Sequence, residues 1–124
     1  MAQTEPDPEF KPVRIAVLTI SDTRGLDDDR SGDTLCERLQ SAGHVLATRA
    51  IVKDDRATIA GQFRDWAADP EIEVVISTGG TGVTGNDVTP EALGDVVEKR
   101  IDGFGELFRW ISFQKIGTST VQSR

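Results

Sequence analysis

The sequence predicts an α/β domain, a three-layer α/β/α sandwich with a mostly parallel sheet, on three observations. Runs rich in β-branched residues alternate with stretches of helical periodicity, as βαβ units require. The run at 13–20, Val-Arg-Ile-Ala-Val-Leu-Thr-Ile, is apolar at successive positions, the mark of a central strand covered on both faces. The run at 74–76, Val-Val-Ile, ends abruptly in a glycine cluster and is followed by a helix start, the strand, loop and helix order that parallel sheets use to hold ligands. A chain of 124 residues suffices for one domain with a real core.

In order, residues 1–11 form a short polar arm in which Pro6 and Pro8, with Pro12 just beyond, discourage regular structure, so this arm is expected to be disordered. The domain proper covers 12–124. Strand 13–20 leads into Ser21-Asp22-Thr23-Arg24-Gly25 at its carboxyl end, and Asp27-Asp28-Asp29-Arg30 reads as a solvated loop rather than a metal site. Ser31 is expected to cap a helix over 32–42, with Leu35, Leu39 and Ala42 on one face and Gly43 ending it. Within it the lone Cys36, lacking a disulfide partner, reads as packed core. His44, without a second histidine, reads as a boundary residue. The mixed run 45–52 suits a strand near the sheet edge. Of Asp54 and Asp55, one is expected to cap a helix over 56–68 that buries Ile59, Phe63, Trp66 and Ala67, which leaves the other free for chemistry.

The strand at 74–76 is read as buried. Beyond it lie Ser77, Thr78, Gly79, Gly80, Thr81 and Gly82, and the missing side chains of the three glycines let a ligand approach backbone N–H groups while the hydroxyls supply further contacts. The spacing Gly80-x-Gly82-x-x-Gly85 matches the dinucleotide fingerprint only by chance, because no helix opens directly after it and no acid-ended strand follows. A phosphate-binding P-loop is excluded, since no Lys-Ser or Lys-Thr pair follows the glycines. Thr89 as N-cap, Pro90 and Glu91 then predict a helix over 90–100 that turns Leu93, Val96, Val97 and Ile101 inward. A last helix at 103–113 presents Phe104, Leu107, Phe108 and Ile111 as its apolar face, with Trp110 and Phe113 outside that stripe and available to a partner surface.

A net charge of -7 disfavours nonspecific nucleic-acid binding, and no apolar run approaches the roughly 20 residues of a membrane span. The acidic start is unlike a signal peptide, so a cytoplasmic protein is expected. Asp22, one of Asp54 and Asp55, and Asp87 each follow a strand and should converge on one rim of the sheet. Carboxylates beside a glycine loop suit Mg²⁺ bridging phosphates. The residues alone thus lead to a site for a nucleotide or other phosphorylated ligand with Mg²⁺.

Three segments carry a resemblance: Ser77-Thr-Gly-Gly-Thr-Gly82, Asp87-Val-Thr-Pro-Glu-Ala92 and Gly103-Phe-Gly-Glu-Leu-Phe-Arg109. In this order and spacing, with Ser21-Asp22, the Asp29-x-Ser31-Gly32 element and Gly117-Thr-Ser-Thr-Val-Gln-Ser-Arg124, the chain resembles the MoaB/Mog family of molybdenum cofactor biosynthesis proteins, the MoaB branch in particular. The resemblance implies a molybdopterin-binding domain and, as in the Mog branch, adenylyl transfer from Mg-ATP to molybdopterin with release of pyrophosphate. It places Asp54 and Asp87 on the family's functional acids, where they also hold the metal, and Thr78 to Gly82 on its ligand loop. Ser21, Ser112 and Ser123 fall on substrate-contacting serines, and Asp22 joins that substrate-binding set. It further implies a homo-oligomer, trimeric or hexameric, and contact with other molybdenum cofactor biosynthesis proteins. Where many members carry Arg before the second acid this chain has Asn86, which removes a fixed charge able to hold a phosphate. An alternative to the enzyme is therefore a molybdopterin-binding carrier or scaffold. The family's pattern continues after Ser-Arg into another apolar strand, so the chain is expected to lack the family's C-terminal segment.

Overall fold

The computed structural model describes residues 8–124. Most of the arm expected to be disordered, residues 1–7, lies outside them, and residues 8–13 form neither helix nor strand. The elements are β1 (Arg14–Ile20), α1 (Arg30–Ser41), β2 (Val45–Val52), α2 (Arg56–Ala67), β3 (Val74–Thr78), α3 (Thr89–Gly94) and α4 (Asp102–Ile116), with a terminal 3₁₀ helix at Gly117–Gln122. The sheet order is β2-β1-β3 and both pairings are parallel. β1 is therefore the central strand and β2 an edge strand, as their apolar patterns predict.

Alternation along β1 builds the two outer layers. Ala16, Leu18 and Ile20 pack on one face with Ile59, Ala60, Phe63 and Trp66 of α2 and Ala92 of α3. Ile15 and Val17 pack on the other with Cys36 and Leu39 of α1. Helices on both faces of a parallel sheet make the predicted three-layer sandwich. Cys36 is buried core, as read from its place in the helix. His44 is half-buried at the start of β2, where Nδ1 accepts a hydrogen bond from the Val13 N–H at 3.1 Å.

Several local expectations are corrected. Helix α1 is capped by Asp29, whose Oδ1 accepts from the Gly32 N–H at 3.0 Å, and not by Ser31. Nor is Asp29 part of a solvated loop. It is fully buried, with Oδ2 accepting from Thr19 Oγ1 at 2.7 Å and from Arg49 Nη2 at 2.9 Å. Ala42 and Ala67 are exposed, the first as the C-cap of α1 and the second as the last residue of α2. β3 is half-exposed rather than buried, because among the described residues it pairs only with β1.

The helix predicted over 90–100 ends at Gly94, and its start lacks the expected Thr89 cap because the Thr89 hydroxyl donates instead to the Gly79 carbonyl at 2.9 Å. Asp95, just past its end, forms a two-pronged ion pair with Arg56 of α2, both contacts at 2.8 Å. Helix α4 departs most. Phe104, Leu107, Phe108 and Ile111, expected to face inward, are exposed together with Trp110 and Phe113, and the helix buries no residue. Its principal neighbour is the terminal 3₁₀ helix. No helix among the described residues is long and apolar enough to cross a membrane.

Candidate functional site

Because the strands are parallel, their carboxyl ends share one rim, and the segments after β1, β2 and β3 meet there. Ser21 is half-buried directly after β1; its N–H donates to the Val52 carbonyl at 2.8 Å and its Oγ accepts from the N–H groups of Thr23 and Arg24. Asp22 reaches across to the next segment, where its Oδ1 accepts from the Asp54 N–H at 2.9 Å. Asp55 proves to be the cap of α2, its Oδ2 accepting from the Thr58 N–H and hydroxyl. Asp54 is thus the acid left for chemistry, the choice the family resemblance implies.

The glycine loop folds over this rim, and packing within the protein gives its glycines a reason in addition to the one read in the sequence. Gly79 and Gly80 have positive φ, 99° and 69°. A Cβ at Gly79 would overlap the Ile20 carbonyl oxygen, one at Gly80 would overlap Thr89 Oγ1 and press on Asp54 Oδ1, and one at Gly82 would overlap the Asp87 carboxylate. The missing side chains admit the protein's own strand end, hydroxyl and acids before they admit any ligand. Thr89 fastens the loop further, with its N–H donating to the Gly80 carbonyl at 3.1 Å.

A test follows from that packing. Gly80→Val should lower stability by about 1–3 kcal/mol through the strained φ, beyond the steric cost at Thr89, and should also abolish ligand binding. Scanning calorimetry measures the loss, and Gly85→Ala, with nothing near its Cβ, should leave the melting temperature unchanged in it.

Electrostatically Asp54 and Asp87 are shifted in opposite directions. Burial raises the Asp54 carboxyl above the usual carboxylate range, and the charges of Asp22 and Asp87 raise it further. Asp87 is held below its usual range, first by the Thr84 hydroxyl at 2.8 Å, then by the Thr84 N–H at 3.1 Å, with Arg124 adding a smaller pull. The predicted convergence of Asp22, Asp54 and Asp87 is therefore felt as repulsion at Asp54. Among the described residues no three acids, histidines or cysteines stand close enough to hold a metal by themselves.

On the far side of the loop lies a cavity of about 600 Å³, bounded by Ser77 and Thr81, by the apolar Leu93, Val97 and Ile101, and by Lys99, Arg100, Arg109 and Arg124. These cations are the residues that sequence reasoning missed. They fall in the Gly-Phe-Gly-Glu-Leu-Phe-Arg and Ser-Arg segments or just before the first, so their motif was visible while their common wall was not. Ser123 lies next to this wall, its carbonyl oxygen 3.5 Å from Arg109 Nη1. Ser112 is half-buried on α4 and does not border the cavity, so the structure does not bring it together with the loop. Thr78 ends β3 and borders a separate shallow pocket with Ser31 and Thr34.

A family profile, MoCF_biosynth, described as a probable molybdopterin binding domain, matches residues 16–124. The Molybdenum cofactor biosynthesis protein B of Escherichia coli K12 is 50% identical over 116 residues, which cover 94% of this chain and 68% of that protein. Its namesake from Bacillus anthracis is 46% identical over 120 residues, covering 92% and 68%. Among solved structures, a Molybdenum cofactor biosynthesis protein B is similar with a TM-score of 0.88 at 45% identity, over 92% of this chain and 71% of that one. The tungsten cofactor synthesizing protein MoaB from Pyrococcus furiosus is similar with a TM-score of 0.81 at 33% identity, over 94% and 72%.

Proposed function

Because this chain belongs to the MoCF_biosynth family of molybdopterin-binding domains, we propose that it binds molybdopterin at the glycine loop and adenylylates it with Mg-ATP, releasing pyrophosphate. Its place is in molybdenum cofactor biosynthesis. The observation that carries the catalytic reading is Asp54, a partly buried carboxyl raised by Asp22 and Asp87 at the edge of the loop. An acid so placed gains from a cation.

Mg²⁺ fits this donor set, since it accepts one or two carboxylates and leaves its other positions to water and phosphate oxygens. Asp54 and Asp87 would hold it. A Mg²⁺ ion held there would supply charge neutralisation and Lewis-acid polarisation to a bound phosphate. The protein's own part is positioning: Ser77 and Thr81 offer hydroxyls, Lys99, Arg100 and Arg109 offer charge to anionic groups, and Leu93, Val97 and Ile101 offer apolar surface to a flat ring. Incubating the protein with molybdopterin and Mg-ATP, and assaying adenylylated product and pyrophosphate, tests the reading.

One observation favours the carrier alternative. Asp87 Oδ2 already accepts two hydrogen bonds from Thr84, which leaves Oδ1 as the oxygen open to a metal. Retained molybdopterin with no product in that assay would select it.

We further propose a homo-oligomer, a trimer or hexamer, assembled through α4. Its support is the exposure of Phe104 (76%), Trp110 (63%) and Phe113 (55%) along one helix, apolar surface that association would remove from water. Trp110→Glu should shift the species seen by light scattering towards monomer while leaving the melting of the isolated fold little changed. A wild-type monomer at micromolar concentration would overturn the assembly.

A further inference from the structure

The turn carrying Asp87 is closed on itself. The Asp87 N–H donates to the Thr84 carbonyl at 3.1 Å, and the Thr84 N–H and hydroxyl return the bond to the Asp87 carboxylate. Such a turn fixes its own shape but not its placement over the rim. Thr89, two residues on, ties the segment to the Gly79 and Gly80 carbonyls, and a further tie comes from a residue 37 positions away in sequence: Arg124 Nη2 donates to the Asp87 carbonyl at 2.7 Å and to Glu91 Oε1 at 2.5 Å. Glu91 lies in the first turn of α3, so one guanidinium nitrogen ties the acid's backbone to the helix that follows it.

We propose that Arg124 is a positioning residue, which seats Asp87 over the rim by clamping its carbonyl to α3. The clamp grips the Asp87 backbone and spares the carboxylate, so the acid remains available while its position is set. Arg124 also borders the cavity that holds Ser77 and Thr81, so occupancy of that cavity and the placement of Asp87 are mechanically joined. A guanidinium suits this task because it keeps its charge at all working pH values and presents several donors in a fixed plane. The inference rests on the reading that Asp87 serves the reaction.

Amide hydrogen exchange on the full chain, compared between wild type, Arg124→Ala and Arg124→Lys, tests the clamp without any turnover. The Thr84 and Asp87 amides should exchange at least about tenfold faster in the alanine variant, with the β1 amides of Val17 and Leu18 unchanged. Unchanged exchange at Thr84 and Asp87 would overturn the proposal. In the adenylylation assay, kcat should fall about tenfold to a hundredfold with KM for molybdopterin steady, and lysine should restore part of the loss. A raised KM with kcat intact would make Arg124 a ligand contact instead. Should Arg124→Ala fail to fold, Glu91→Ala removes one of the two anchors and is expected to move the same amides less. A wild-type protein that makes no product sinks the adenylylation reading alone, because the exchange experiment still decides the clamp.

Discussion

Asp29→Ala is expected to destabilise the domain by about 3–5 kcal/mol, enough to unfold much of it at physiological temperature. The side chain is fully buried and serves three partners at once: the Gly32 N–H, the Thr19 hydroxyl and the Arg49 guanidinium. Truncation removes a helix cap, leaves a buried hydroxyl without its acceptor, and strips a half-buried cation of one of its two carboxylates. Urea denaturation measures the loss. Asp33→Ala is the control, since Asp33 binds the same arginine from an exposed position and its removal should cost well under about 1 kcal/mol.

The same carboxylate predicts an acid limb. Burial pushes Asp29 up, but the bonds from Thr19, Gly32 and Arg49 outweigh it and leave its folded pKa lowered. A depressed acid stabilises fully above its unfolded value, about 4, and loses that contribution as pH falls through the lower folded value. Asp29→Asn should therefore be less stable than wild type at pH 7, with the gap closing as both are titrated below about pH 4.

Asp54→Asn should show the opposite sign. Turnover in the adenylylation assay should drop about a hundredfold or more, since the change would remove charge from the proposed metal site and almost no volume. The free protein should meanwhile melt slightly higher. The raised carboxyl carries a penalty for ionising that is present above its folded pKa and relieved as pH falls, and asparagine escapes it. The stability difference should thus vanish in acid. Loss of activity together with loss of stability would mean that Asp54 is structural, and full activity would remove it from the reaction.

What the sequence made legible and what it hid divide on physical lines. β1 was readable because continuous apolar residues need cover on two faces, and α1 and α2 supply it. The meeting of Asp22, Asp54 and Asp87 was readable because parallel strands end together. The α1 cap was not: Asp29 and Ser31 are both good caps, and the choice was made by Thr19 and Arg49, 10 and 20 residues away. Helix α3 stopped early at a glycine beside an ion pair to α2, a contact 39 residues long in sequence that no periodicity registers. In α4 the count of large apolar residues was read correctly, and the inward direction assigned to four of them was not, since no strand or helix among the described residues covers that side. The cationic wall escaped because Arg100, Arg109 and Arg124 are separate along the chain and become neighbours only after the terminal 3₁₀ helix turns back.

The sheet order β2-β1-β3 also has a consequence during synthesis. Of these three strands, the central one is the first to leave the ribosome. Once Val52 has emerged, β1, α1 and β2 can close one parallel unit and bury Ile15 and Val17 against Cys36 and Leu39. The opposite face of the same strand, Ala16, Leu18 and Ile20, has nothing to pack on until Ile59, Phe63 and Trp66 have been translated. A nascent chain paused between those two points holds half a core in water, and there it should depend most on a holding chaperone.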